Sequence, residues 1–67
     1  MKTFFDLELW LKADGTRYIQ RMAFKKGSFH AEIVGQGYLG VGVSKTLAGA
    51  LENAMLDIRE RVAKAAW

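Results

Sequence analysis

Length, composition and charge limit what this chain can be. It has 67 residues, 51% of them hydrophobic, with no cysteine, one histidine and a net charge of +3. This composition predicts one small folded domain over residues 1–67 and excludes a disordered tail, a disulfide scaffold and a thiolate metal site. No apolar run approaches the roughly 18 residues that cross a membrane. The charged start and the lack of cysteine predict a cytoplasmic protein without a signal peptide.

The first run of residues alternates between apolar and polar side chains, a pattern typical of a β-strand over Thr3 to Lys12. The apolar set of this run is Phe5, Leu7, Leu9 and Leu11. The run ends at Asp14-Gly15, and an Asp-Gly pair between two alternating runs predicts a two-residue hairpin. In the register that this turn sets, Glu8 lies opposite Arg21, and Trp10 neighbours Ile19 on the outer face of the sheet.

A second hairpin is predicted at Lys26-Gly27, between the run that contains Met22 and Phe24 and the run that contains Phe29, Ala31 and Ile33. Counting back from this turn places Phe29 against Phe24 and Glu32 against Arg21.

Gly35-Gln36-Gly37 marks a third turn, and residues 38–43 form a short fourth strand. We expect its larger aliphatic side chains to face the core and Tyr38 to face outward with the glycines. The aliphatic set is Leu39, Val41 and Val43, and the glycines are Gly40 and Gly42. The pattern leaves open whether this strand pairs within one chain or across a dimer.

From Ser44, a predicted N-cap, apolar residues recur with the period of an α-helix to the end of the chain. The stripe consists of Leu47, Leu51, Ala54, Ile58, Val62 and Ala65. The helix is long enough to cover a sheet of this size. The predicted fold is therefore α+β: a two-layer antiparallel sheet of three to four strands packed under one long C-terminal helix.

Two family resemblances lie in the second half of the chain. The stretch Thr46-Leu47, Ala50-Leu51, Glu52-Asn53-Ala54 and Ile58 resembles the start of the helix in HicB-type antitoxins, and the likeness spans about residues 27–59. The proline-containing turn of that family is absent. The stretch Gly40-Val41-Gly42-Val43-Ser44-Lys45 is similar to the start of the last helix in double-stranded-RNA-binding domains, although the further lysines of that helix and the family's first helix are missing. Both resemblances imply a β-β-β-α core.

The sequence predicts no enzyme. His30 and Glu32 share a strand face and form the best acid–base pair, but the pattern places no nucleophile beside them. We predict no catalytic residue, no metal site, no cofactor and no small-molecule substrate, because the chain lacks the spacings of such sites.

Our first hypothesis is a protein-interaction module, acting as an inhibitor or regulator that docks on a larger protein or on a second copy of the chain. Such a regulator would be antitoxin-like or of the phage or mobile-element type, from a phage or a prokaryote, because small phage and mobile-element proteins that block host systems have this size and charge. Exposed apolar patches mark such interfaces. The predicted outer sheet face carries Phe4, Trp10, Ile19, Val34 and Tyr38, and the outer helix face carries Leu56 and Trp67.

The alternative hypothesis is a nucleic-acid-binding domain that uses a basic sheet face with interleaved aromatic side chains. The predicted phosphate contacts are Lys12, Arg17, Arg21, Lys25, Lys26 and Lys45. Asp6, Glu8 and Glu32 lie on the same predicted face and cancel much of this charge.

Overall fold

The computed structural model describes the backbone of residues 3–65 and the side chains of residues 7–65. In chain order the elements are α1 (Thr3–Lys12), β1 (Tyr18–Lys25), β2 (Ser28–Gly35), β3 (Tyr38–Ser44) and α2 (Leu47–Ala65). The strands form one antiparallel sheet in the order β1-β2-β3. Helix α2 packs on β2 and β3, and α1 packs on α2. The predicted α+β class, with an antiparallel sheet under a long C-terminal helix, is confirmed.

The predicted N-terminal strand is wrong, because Thr3–Lys12 is the helix α1. The apolar residues of this segment fit two periods. Leu7, Trp10 and Leu11 are also spaced as one helix face, and this is the face that packs on the core, with Leu7 and Trp10 buried and Leu9 exposed. The sheet consequently has three strands, and the expected pairing of the N-terminal segment with β1 does not exist.

The predicted hairpin at Asp14-Gly15 is also wrong, since this turn joins α1 to β1. The Asp14 carboxylate accepts hydrogen bonds from the Thr16 backbone N–H at 2.9 Å and from the Thr16 hydroxyl at 2.8 Å. These two bonds hold the pKa of Asp14 below its usual range, and the bond from the backbone N–H is the larger cause. Asp14 thus closes a local turn through its side chain.

The hairpin at Lys26-Gly27 is confirmed. Both residues have positive φ, 53° and 78°, as a two-residue type I′ turn requires. The register places Phe24 opposite Phe29, with ring centroids 4.7 Å apart, and Arg21 opposite Glu32. A bulge lies between Ile19 and Arg21.

Residues 38–43 belong to β3, which pairs with β2 within the chain across the turn at Gln36 and Gly37. The expected orientation of this strand is inverted. Gly40 and Gly42 lie under α2, where a Cβ atom would overlap the backbone of Ala54 at either position. The three larger side chains of the strand point to the opposite side and are exposed, namely Leu39, Val41 and Val43. The two glycines let the helix backbone approach the strand closely.

Helix α2 begins after Thr46, whose hydroxyl accepts a hydrogen bond from the Gly49 N–H at 3.0 Å. Thr46 is therefore the N-cap, and the prediction of Ser44 is two residues too early. The Ser44 hydroxyl instead accepts from the Thr46 N–H at 3.4 Å.

The core lies between the sheet and the two helices. It consists of Leu7, Trp10, Ala31, Ile33, Ala50, Leu51, Ala54, Met55 and Ile58. We call the sheet face that packs on this core the covered face. The opposite face, the bare face, carries Tyr18, Arg21, Ala23, Lys25, Ser28, His30, Glu32, Val34, Leu39, Val41 and Val43. Within the described residues, neither helix is long and apolar enough to span a membrane.

Candidate binding surfaces

The bare face carries a row of exposed aliphatic side chains along β3. Leu39, Val41 and Val43 are 43%, 47% and 48% exposed. Val34 pairs with Leu39 on one side and with Tyr18 on the other, which extends the apolar surface across all three strands. An apolar surface that crosses a whole sheet is typical of a contact site.

The centre of the bare face contains one small hollow. Arg21, Lys25, His30 and Glu32 line a hollow of about 90 Å³, together with Ala23 and Val41. Small-molecule pockets usually enclose roughly 300–1,000 Å³. A larger hollow of about 420 Å³ lies where α1 meets Arg17 and Arg59, and it is wide open to solvent. The hollow on the bare face is smaller than this range, and the hollow at Arg17 and Arg59 is open to solvent.

The carboxylates and the histidine of the described residues form no metal-binding cluster. No three His, Asp or Glu side chains of this part of the chain come together as metal ligands. Ser28, His30 and Glu32 share the bare face of β2, yet the hydrogen bond to Glu32 comes from the Gln20 amide at 3.1 Å. Acid–base or nucleophilic chemistry needs these groups within hydrogen-bonding reach of one another.

Trp10, predicted on the outer sheet face, is buried in the core. Its ring lies on Gly35, where any Cβ would overlap it. The expected contact between Trp10 and Ile19 on an outer face depended on a strand at residues 3–12, and α1 removes it.

The other predicted partner-binding residues have mixed positions. Val34 lies on the bare face as expected, half-buried, and Leu56 is exposed on α2. Ile19 and Tyr38 are on the covered side of the sheet, opposite Ile33 and Gly35. The Phe4 side chain and Trp67 lie outside the described residues.

Arg17, predicted as a phosphate contact, has a structural role. Its guanidinium lies 4.5 Å from the centroid of the Trp10 ring, and its Nη1 donates a hydrogen bond to the Trp10 carbonyl at 2.8 Å. A half-buried guanidinium held in this way fixes the end of α1 against the start of β1.

Three of the other predicted cations lie at one end of the molecule. Lys25 and Lys26 are at the β1–β2 turn, and Lys45 lies between β3 and α2. Because Phe29 pairs with Ser44, these two connections are neighbours. Arg21 lies further along the bare face, and Lys12 is on α1, where it forms an exposed ion pair with Glu8 at 3.7 Å. The predicted basic face is thus divided between separate surfaces.

The two free edges of the sheet differ. On β3, the Val41 N–H donates to the Asp57 carboxylate at 3.0 Å, and the Val43 carbonyl accepts from the Asn53 amide at 3.0 Å. The bond from Val41 is the main reason that the pKa of Asp57 is lowered, and Arg61, 3.4 Å away, adds to the effect. No comparable side-chain bond reaches the backbone edge of β1 among the described residues. Helix α2 therefore blocks one edge and leaves the other open.

The sequence reasoning missed the aliphatic row and the β1 edge. A signal for the row was present, since Gly40 and Gly42 alternate with Leu39, Val41 and Val43. Glycine in a strand often marks the close approach of another backbone, which identifies the helix side of the strand.

Comparison with models of protein families, with curated proteins and with solved structures yields no match. The resemblances to HicB-type antitoxins and to double-stranded-RNA-binding domains thus depend on the residues quoted above.

Proposed function

We propose that the protein is a non-enzymatic interaction module whose bare face docks on a larger protein or on a second copy of the chain. The observation that carries this proposal is the exposed aliphatic row of Leu39, Val41 and Val43. An open face of an antiparallel sheet is usually polar, because it remains in contact with water. Covering a row of aliphatic side chains with a partner removes apolar surface from water, which favours binding.

The size and surface of the domain support a regulator or inhibitor that acts by occupying a site on a larger protein. Its partner-binding face is the sheet, and its helices complete the core behind that face. The HicB-type resemblance implies the same kind of role in a prokaryote or phage, and the lack of cysteine favours the cytoplasm as the location.

The test compares two matched substitutions, Val41→Arg on the bare face and Leu56→Arg on α2. Both add one positive charge at a side chain that is nearly half exposed. Tagged proteins are used to capture partners from cells, and sedimentation velocity measures self-association. We expect a specific partner, or the dimer, to be kept by Leu56→Arg and lost by Val41→Arg. Equal binding by both variants, with both folded by circular dichroism, would overturn the proposal.

A nucleic-acid-binding domain is the second candidate function, and two observations favour it. Lys25, Lys26 and Lys45 lie at neighbouring connections beside the start of α2. The helix α1 also precedes the sheet, as the first helix does in double-stranded-RNA-binding domains, although the sequence indicated that such a helix was missing. Phosphate groups bind well to lysines beside a helix N-terminus.

Fluorescence anisotropy with labelled RNA and DNA, single- and double-stranded, over a salt series tests this second function. Lys26→Gln and Lys45→Gln are expected to weaken binding, and each should reduce the slope of log K against log salt by about one. Lys12→Gln is the control, since Lys12 is on α1 and already pairs with Glu8. The absence of binding at low salt would exclude the nucleic-acid function.

A further inference from the structure

We propose that the open edge of β1 binds an extended protein segment as a fourth strand, and that this segment alternates apolar and acidic side chains. The inference depends on the proposed function, protein binding, and adds a binding mode and the chemistry of the partner. Strand addition supplies main-chain hydrogen bonds for affinity and alternate side chains for specificity.

Two residues of β1 direct their backbone N–H and C=O groups into the open edge. The Val41 N–H and the Val43 carbonyl bond to α2, so both residues point their backbone groups away from β2. Residues opposite each other in an antiparallel pair alternate between bonded and non-bonded pairs. The β2 residues that bond to β3 therefore cannot bond to β1, and these include Ala31 and Phe29. Their partners on β1 are Met22 and Phe24, whose N–H and C=O groups consequently point away from β2 into the open edge. A docked strand would bond to these two residues.

A row of apolar side chains lies beside that edge. Ile19, Met22 and Phe24 lie on the covered side of the sheet, opposite Ile33, Ala31 and Phe29. They are nevertheless 40%, 37% and 62% exposed. Helix α2 packs over β2 and β3 and does not extend over β1. An added strand would place every second side chain next to this row, and those side chains should be apolar.

The other side of β1 is positively charged. Arg21 and Lys25 lie on the bare face, and Lys26 follows in the turn. None of these three cations forms an ion pair with another described residue. The side chains of an added strand that point to the bare face would lie opposite Arg21 and Lys25, and opposite charges across a strand pair stabilise it. The alternate positions of the segment should therefore be acidic.

The same charges argue against a second copy of β1 as the occupant. Antiparallel pairing of two β1 strands about Ala23 places Arg21 of one chain opposite Lys25 of the other, twice. Like charges directly opposite each other are destabilising. The β3 edge is the less suitable edge, since Asn53 and Asp57 already occupy its backbone groups. The open edge thus fits a partner that carries the acidic charge.

The probe is a labelled seven-residue peptide in which valine and glutamate alternate. One control peptide has the same composition with the valines and glutamates in separate blocks, and the other has lysine in place of glutamate. We expect anisotropy to show binding of the alternating acidic peptide at least about tenfold tighter than that of either control. Hydrogen exchange by NMR should show new protection at the Met22 and Phe24 amides and none at the Leu39 amide on the other edge.

Two variants sharpen the test. Arg21→Glu should reverse the preference toward the lysine peptide. Met22→Pro removes one outward N–H without removing a β1–β2 hydrogen bond, so a folded variant should lose at least about tenfold in affinity. Equal binding of the alternating and block peptides, or protection elsewhere, would overturn the strand-addition mode. If the peptides fail and the Val41→Arg variant still loses its partner, this inference is wrong and the proposed function remains.

Discussion

The two faces of β3 show an inverted distribution of side-chain size. On the covered face are Gly40 and Gly42, whose lack of Cβ allows the α2 backbone to lie against the strand. On the bare face are the larger Leu39, Val41 and Val43, all of them exposed. The core of this small domain is therefore built partly from close backbone packing, and its larger β3 side chains remain available for contact with a partner.

The largest effect is expected from Trp10→Ala, which removes the ring that covers Gly35. Truncation of a buried tryptophan costs about 3–5 kcal/mol, a large part of the stability of a domain this small. It would also remove the surface on which the Arg17 guanidinium stacks. Urea unfolding monitored by circular dichroism measures the change in the free energy of unfolding.

Leu9→Ala is the matched control for Trp10→Ala, since Leu9 is the preceding residue of α1 and is 53% exposed. We expect it to change the free energy of unfolding by less than about 1 kcal/mol. Equal losses in the two variants would contradict the burial of Trp10 on the covered face.

Gly42→Val tests the close packing of α2 directly. A side chain at this position would overlap the Ala50 carbonyl and the Ala54 N–H, so the helix must move or the strand must bend. Overpacking of this kind costs roughly 1–3 kcal/mol. The neighbouring Val43→Thr, on the bare face, should change stability by about 0.5 kcal/mol or less. The difference between these adjacent positions, measured by urea unfolding, reports which face the helix covers.

The β1–β2 hairpin and the helix α2 were predictable, because the sequence pattern of each fits one type of secondary structure. Lys26-Gly27 needs two positive φ angles in a row, which fixes a two-residue turn and with it the pairs Phe24–Phe29 and Arg21–Glu32. The apolar stripe of α2 has a clear helical period. The N-terminal segment has no such single signal, because its apolar residues satisfy the strand period and the helix period together. The packing of Leu7 and Trp10 in the core favours the helix over the strand.

The binding surfaces were predictable only in part, for a related reason. Val34, Arg21 and Lys25 lie on the bare face as expected, because their strands were placed in the correct register. Trp10 was assigned to the wrong element, and Tyr38 to the wrong face of β3. Period two separates the two faces of a strand but does not say which one a helix covers. Side-chain size suggested the wrong answer, since the glycines are the residues that face α2.

A smaller loss of stability than at Trp10 or Gly42 is expected at Asp57, whose side chain bonds to the β3 edge of the sheet. Asp57→Ala removes the acceptor of the Val41 N–H, and the cost should be no more than about 1 kcal/mol, because the side chain is 30% exposed. The pKa of Asp57 in the folded protein lies below its ordinary value of 3.8. A lowered pKa means that the folded state binds this proton less readily than the unfolded state. The stabilisation is then fully present above pH 3.8 and is lost as the pH falls through the lower folded-state value.

The difference in unfolding free energy between the wild-type protein and Asp57→Ala should therefore be constant near neutral pH and should shrink in acid. The other carboxylates titrate in both proteins and cancel in this difference. An NMR titration of the Val41 amide chemical shift shows whether the protonation of Asp57 changes the Val41–Asp57 hydrogen bond. A difference that stays constant down to pH 2 would show that the carboxylate charge does not hold this edge. In that case β3 would be as open to an added strand as β1, and the choice of β1 as the docking edge would depend on Arg21 and Lys25 alone.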